Sequence, residues 1–331
     1  GLFGRKTERP GDPAVTCGDE TAAGARLGHG VGWSTEGCAA MSGLRVGVSL
    51  QPRWPAGDGR GVLRAAQAAE RLGFDHVAVG NRVLESGFGL DADPLVLLAA
   101  VAGATSRVRL LTSVLVVPYY RPVVMANQAA TLDVLSGGRL VLGVGTGWNP
   151  EEFAAAGVPV RERGARTDDH LGAARALWAS RPAEFEGRFT SVRGARLGVA
   201  PVTAGGPPLW VGGHSEAALR RAARYGDGWY GTGVDAAEVS RVRRRLGEEV
   251  EVERFALAAA VFLTPPGAEA VVEAPGRPLG GAAATAGSVV AELGELAEAG
   301  LTDCTLWLPV AGEQVEQAME WVAAEVLPQL G

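Results

Sequence analysis

Residues 139–148 read RLVLGVGTGW and follow directly on Ser136-Gly137-Gly138. The glycine pair is a helix stop, and the apolar run behind it shows no in/out alternation. Parallel strands buried on both faces read this way. The same construction recurs on either side, in LRVGVSL from Leu44, DHVAVG from Asp75 and VRLLTSVLVV from Val108. Further along come PLWVGG from Pro208, GWYG from Gly228, FALAAAVFL from Phe255 and TDCTLWLP from Thr302. With the run at 139, that makes eight strands.

Helices are expected between them. Val62, Ala66, Ala69 and Leu72 repeat at helical spacing opposite Arg64, Gln67, Glu70 and Arg71. A third helix starts at Pro122 and stops at Ser136; others carry Val289, Leu293 and Leu296, and Val315, Met319, Val322 and Val326. The interval from 139 to 208 is the long one. It holds an insertion after the fourth strand: a helix over Thr167–Trp178, then EFEGRFTSV and GARLGVAP, which read as a small hairpin. Eight βα units over residues 41–331 predict a (β/α)8 barrel. The rival, a doubly wound sheet, rarely needs eight parallel strands. Residues 1–40 lack periodicity and a signal-peptide core, so we expect a disordered N-terminal extension with Met41 as the natural start.

Composition narrows the chemistry. Of 31 Lys+Arg, only Lys6 is lysine, and it precedes the barrel, which disfavours Schiff-base, pyridoxal and P-loop enzymes. A net charge of −6 argues against nucleic-acid or anionic-membrane partners. Cys17, Cys38 and Cys304 are unpaired in spacing, and His29, His76, His170 and His214 are scattered, so no metal site is expected. The longest apolar stretch, Pro94–Ala104, is too short for a membrane span, and a cytoplasmic protein is expected.

Barrel enzymes place their sites at the C-terminal ends of the strands. Those ends offer Ser49 and Gln51, then Asn81 and Arg82, then Thr112-Ser113-Val114. Two hydroxyls in an apolar strand mean a bulge, a ligand or a satisfied core pair. Gly143, Gly145 and Gly147 let a ligand approach the backbone, or simply make a tight turn; Trp148 follows. Gly212-Gly213-His214-Ser215 runs into a helix that Ser215 would cap, an arrangement suited to a phosphate. Trp229 and Tyr230 put aromatics at the mouth, with core packing the reading for Trp229. No nucleophile, triad or carboxylate pair emerges. Such a mouth suits a phosphorylated aromatic cofactor that brings its own reactivity.

The runs RPVVMANQAATLDVLSGGRLVLGVGTGWNPEEF, ERGARTDDHL, PLWVGGHSEAALRRAARYGDGW and AELGELAEAGL resemble the bacterial luciferase-like monooxygenase superfamily, over about Leu44–Val326. Within it they look most like the branch that uses the deazaflavin coenzyme F420. The resemblance implies a TIM barrel with the cofactor ring at its C-terminal mouth. Ser113 and Val114 match the third-strand bulge, commonly a non-prolyl cis peptide, on which the ring rests. Gly145, Thr146 and Gly147 match the loop beside the ring, and Gly212, Gly213, His214 and Ser215 match the phosphate turn. Ser49, Asn81 and Thr112 complete the expected cofactor contacts. The second strand end departs from the pattern: Asn81-Arg82 stands where F420-dependent members commonly have Asp-His. Trp148 stands where the sugar-phosphate dehydrogenase branch has Glu, which argues against that substrate. Asn81, Arg82 and Trp148 are the catalytic candidates, with the acid/base role open.

The resemblance implies an oxidoreductase moving hydride between F420 and an organic small molecule, as a homodimer. One alternative is an FMN-dependent monooxygenase fed by a separate flavin reductase. Another is a non-catalytic flavin-binding barrel. The stretches near 150–200 and 264–285 are expected to form the substrate wall.

Overall fold

The computed structural model describes residues 43–330, apart from 52, 53, 55–57, 88, 89, 274 and 275. The expected extension over 1–40, with Met41, lies outside the described residues. In chain order the strands are β1 (Arg45–Ser49), β2 (His76–Val79), β3 (Arg109–Thr112), β4 (Leu115–Val116), β5 (Leu140–Gly145), β6 (Ala183–Glu186), β7 (Ser191–Ala195), β8 (Leu209–Gly212), β9 (Gly228–Thr232), β10 (Ala256–Phe262) and β11 (Asp303–Trp307). All except β6 and β7 join one parallel sheet in the order β3-β2-β1-β11-β10-β9-β8-β5-β4. Pairing of β3 with β5 closes it. Since β3 and β4 are two halves of one interrupted strand, the result is the expected eight-stranded barrel.

The helices are α1 (Gly59–Arg71), α2 (Pro94–Ala104), α3 (Pro122–Ser136), α4 (Pro150–Ala155), α5 (Arg163–Ala179), α6 (Glu216–Tyr225), α7 (Ala236–Leu246), α8 (Ala286–Glu298) and α9 (Val315–Glu325). Side-chain caps fix their starts: Asp58, Asp93, Asn149, Ser215 and Asp235 each accept a first-turn N–H. Gly137, left-handed at φ 65, ends α3 where the sequence places the stop. The large apolar core lies between sheet and helices. A smaller one, Ala78, Leu111, Val141, Trp210, Tyr230 and Ala258, fills the barrel interior. Among the described residues no helix is long and apolar enough to cross a membrane.

One expectation needs correction and another is met in detail. The hairpin's second strand is Ser191–Ala195, not the later GARLGVAP run, because Glu186 pairs with Ser191 across a tight turn. The apolar run from Val108 does not form one strand. Leu110 and Leu111 pair with Leu140 and Val141, whereas Leu115 and Val116 pair with Val144 and Gly145. The partner offset changes by one residue between these pairs, which is a β-bulge. At its centre the Ser113–Val114 peptide is cis, as the resemblance implies.

The N-terminal end of the barrel is closed by charge. Asp303, fully buried at its side chain, accepts from Arg45 Nε and Nη2 at 2.8 and 2.7 Å and from Arg109 Nη2 at 2.5 Å. Arg109 also bonds Asp75. Burial alone would raise the Asp303 carboxyl, but the Arg45 hydrogen bond and the two guanidinium charges hold it well below the usual carboxylate range.

A depressed carboxyl stabilises the fold above its unfolded value of 3.8, and that contribution fades as pH falls toward the folded value. We therefore predict that Asp303→Asn lowers unfolding free energy at pH 7 by about 3 kcal/mol, the low end for a broken buried pair because Arg45 keeps much of its hydration. It should also flatten the loss of stability below pH 4. Urea unfolding at several pH values checks both, and an unchanged acid limb would remove Asp303 from this role.

Candidate active site

The C-terminal mouth of the barrel opens on a cavity of about 570 Å³, within the range of small-molecule sites. Ten of the twelve expected cofactor contacts line it: Ser49, Asn81, Ser113, Val114, Gly145, Thr146, Gly147, Gly212, Gly213 and His214. Thr112 and Ser215 do not. The Thr112 hydroxyl is buried and donates to the Gly143 carbonyl at 2.6 Å, so it is the satisfied core alternative. The Ser215 hydroxyl accepts from Ala218 N and caps α6.

The floor is built by the bulge. The side chain of Val114 lies between Gly145 and Gly212: a Cβ on Gly145 would fall 2.7 Å from Val114 Cγ2, and one on Gly212 would fall 3.3 Å from Val114 Cγ1. At Gly143 an added Cβ would fall 2.0 Å from the Thr112 carbonyl oxygen. The glycines at 143 and 145 thus first admit the chain's own interrupted strand. Ser113 Oγ lies 2.9 Å from Tyr230 Oη, and the Tyr230 hydroxyl donates to Thr305 Oγ1 at 3.0 Å. Sequence reasoning reads Tyr230 only as a mouth aromatic and misses Thr305. The available signal is the period-two spacing of Asp303, Thr305 and Trp307, which puts all three on one face of β11.

One wall is the turn into α6. The Gly213 carbonyl accepts from Trp229 Nε1 at 2.7 Å, and Trp229 is fully buried, as expected. The Thr232 N–H donates to His214 Nε2 at 3.3 Å, which leaves Nδ1–H to donate to Glu238 at 3.1 Å. The Arg241 bond first, then His214, depresses the Glu238 carboxyl to about 2. The first-turn N–H groups of α6 have no acceptors within the helix.

The opposite wall carries the three catalytic candidates. Asn81 is buried, and its Oδ1 accepts from Val116 N at 3.0 Å, holding β4 in place. Arg82 lies 3.9 Å from the Glu152 carboxylate, with its guanidinium 5.0 Å from the centre of the Trp148 ring. Trp148 itself is 65% exposed. Glu152, buried and absent from the sequence expectations, accepts from Val83 N at 2.9 Å, Leu84 N at 3.3 Å and the Tyr119 hydroxyl at 3.2 Å. Burial and the Glu152 charge push the Tyr119 phenol up. Nothing in PEEF marks Glu152 as different from Glu151; only the packing of α4 buries it. Cys304 is a buried thiol pushed up by desolvation.

These residues fit a phosphorylated ring cofactor. The floor at Val114 is apolar, Gly145 and Gly212 leave room for that side chain to lie between them in the cavity, and the α6 turn supplies a positive dipole end. Among the described residues, ligand atoms of Asp75, His76 and Asp303 come within 4.8 Å of one another, but both carboxylates are already paired with arginine. They form part of the ion-pair network that closes the barrel's other end.

The family model for luciferase-like monooxygenases matches residues 41–322, and the chain belongs to that family. An uncharacterised protein of Mycobacterium tuberculosis is 39% identical over 173 residues, covering 52% of this chain and 59% of its own. The FMNH2-dependent dimethylsulfone monooxygenase of Pseudomonas putida is 31% identical over 180 residues, covering 53% of this chain and 49% of its own. These matches therefore span about half the length of the curated relatives. An F420-dependent secondary alcohol dehydrogenase, solved with an F420–acetone adduct, shares the fold with a TM-score of 0.72 at 19% identity. That likeness covers 87% of this chain and 99% of the other.

Gly212→Val should weaken cofactor binding at least about tenfold, since even the first side-chain carbon meets Val114 and the Val144 carbonyl at 3.3 Å. Titration of cofactor fluorescence measures it. Unchanged affinity would take this turn out of the site.

Proposed function

We propose that this chain is an oxidoreductase that binds coenzyme F420 and moves hydride between it and a small organic substrate. The observation that carries the reading is the juxtaposition of the Ser113–Val114 floor with the Gly212–Gly213 turn at the α6 N-terminus, in one cavity. The choice of F420 rests on the sequence runs that resemble that branch. Val114, Gly145 and Gly212 would hold the ring, and Gly213, His214 and the α6 turn the phosphate. When bound, the deazaflavin supplies a carbon-centred hydride donor or acceptor that does not readily activate oxygen. The chain's own residues bind, orient and exclude water. Arg82, Trp148 and Glu152 then form the wall nearest the mouth, where an organic substrate would be positioned.

A second reading has one observation in its favour, the 31% identity with an FMNH2-dependent monooxygenase. In that case the chain would bind FMN and depend on a separate flavin reductase. Titrating the protein with F420 and with FMN separately decides between them. We expect F420 to bind more tightly. Tight FMN binding with F420 ignored would overturn the first reading. Bound cofactor that no panel of alcohols, ketones or enones reoxidises or reduces would favour the non-catalytic barrel.

The same reading places the protein in the cytoplasm as a homodimer. On α3, Val124 and Leu135 lie three turns apart on one face and are 54% and 62% exposed. The dimer is what the resemblance implies, and Leu135, the more exposed of the two, is the residue chosen to test it. Light scattering should report a dimer for the native chain and a monomer for Leu135→Lys. A native monomer would remove the dimer from the proposal.

A further inference from the structure

An unbroken series of hydrogen bonds crosses the barrel interior from the cavity to its opposite end. Ser113 Oγ lies 2.9 Å from Tyr230 Oη, which lies 3.0 Å from Thr305 Oγ1. Thr305 Oγ1 lies 2.8 Å from His76 Nε2, and His76 Nδ1 lies 3.2 Å from Asp75 Oδ1. Ser113, Tyr230 and Thr305 line the cavity, whereas His76 is buried beneath it. Asp75 is 28% exposed on the far rim. Around this series the interior is apolar, with Ala78, Leu111, Val141 and Ala258.

The donors can be ordered from the far end. The Asp75 carboxylate can only accept, so His76 Nδ1 carries a proton, and in the neutral imidazole Nε2 is then bare. Thr305 must then donate to Nε2, Tyr230 to Thr305, and Ser113 to Tyr230. Every proton points away from the cavity. Burial pushes the Tyr230 phenol up to about 12, so it stays a hydroxyl throughout. The charges facing His76 are Asp75 beside it, Asp303 from β11, Arg109 from β3 and Arg45 from β1. Two of these groups are negative and two positive.

We propose that Ser113, Tyr230, Thr305, His76 and Asp75 form a proton relay that exchanges one proton between the cavity and water at the N-terminal end of the barrel. Each hydroxyl passes its proton to the next oxygen or nitrogen and accepts one from behind. Nε2 of His76 takes a proton, and Nδ1–H is exchanged with water at the Asp75 rim. One proton enters, one leaves, and no electrons move through the chain. This supplies the acid/base partner that Asn81 and Arg82 do not, and it rests on the oxidoreductase reading. The geometry also explains Gly47: a Cβ there would come within 2.3 Å of the His76 ring.

Two measurements test it. In the cofactor-free protein with 15N-labelled histidine, the signal lost in His76→Phe should report protonated Nδ1 and bare Nε2. The opposite tautomer would overturn the relay. The second uses whichever of F420 or FMN binds, chemically reduced on the protein and reoxidised with two ferricyanides per cofactor, each taking one electron, while a pH dye follows proton release. Thr305→Val, which replaces one hydroxyl with a methyl, should leave cofactor affinity within about twofold. It should slow proton release by something on the order of 10²-fold and enlarge the solvent deuterium effect. Thr305→Ser should restore both. A Thr305→Val protein that releases protons at the native rate overturns the relay and leaves the oxidoreductase reading intact. If neither cofactor binds, that reading falls, and the His76 tautomer alone decides the relay.

Discussion

The Thr112 hydroxyl donates to the Gly143 carbonyl at 2.6 Å where β3 meets β5, at the point where the parallel barrel closes. Just beyond it the register changes by one residue, and the chain must carry an extra residue without losing the seam. The bond satisfies a buried hydroxyl and a buried carbonyl together, each of which would cost about 1–3 kcal/mol alone. It also forces the backbones so close that only glycine fits at 143, and Val114 then takes the space that a side chain at 145 would need. The cavity floor is a consequence of this closure. Asn81 finishes it from the neighbouring strand end by capturing the Val116 N–H.

The polar groups of the barrel divide by end. At the N-terminal end, Arg45, Arg109, Asp75 and Asp303 neutralise one another and plug the interior. At the C-terminal end the charged groups face walls: Glu152 is bonded to two backbone N–H groups and Tyr119, and His214 is held between Thr232 and Glu238. Both side chains are oriented by partners before any ligand arrives, so binding need not order them. Hydroxyls and one imidazole link the two ends, because neutral groups bonded to one another cost less than a charged side chain in an interior of Ala78, Leu111, Val141 and Ala258.

Much of the site was legible in one dimension because strand ends are easy to find. Continuous apolar runs that stop at Gly, Ser or Thr announce where a parallel strand reaches the mouth, and ten of the twelve expected contacts lie there. Thr112 and Ser215 do not line the cavity, for one reason. Each sits beside true lining residues in the chain, but its hydroxyl is used by the protein, one on a carbonyl and one as a helix cap. Asn81 lines the cavity, and its Oδ1 also holds the Val116 N–H. Glu152 looks like half of a surface Glu-Glu pair and is buried. Thr305 lies in a run that reads as core from end to end.

From the sequence alone followed the eight strands, the insertion after the fourth, the glycine cradle, the capped turn at Ser215 and the family. These depend on neighbours in the chain, where period, caps and stops act locally. Tertiary structure alone decided the bulge register, the partners of Asn81 and Glu152, and the alignment of Ser113, Tyr230, Thr305, His76 and Asp75. The relay atoms come from three strands, the bulge between β3 and β4, and the residue before β2, as far as 229 positions apart at the His76–Thr305 bond. No local pattern encodes that meeting. It follows from the closure of the sheet, which sets the inward faces of distant strands against one another.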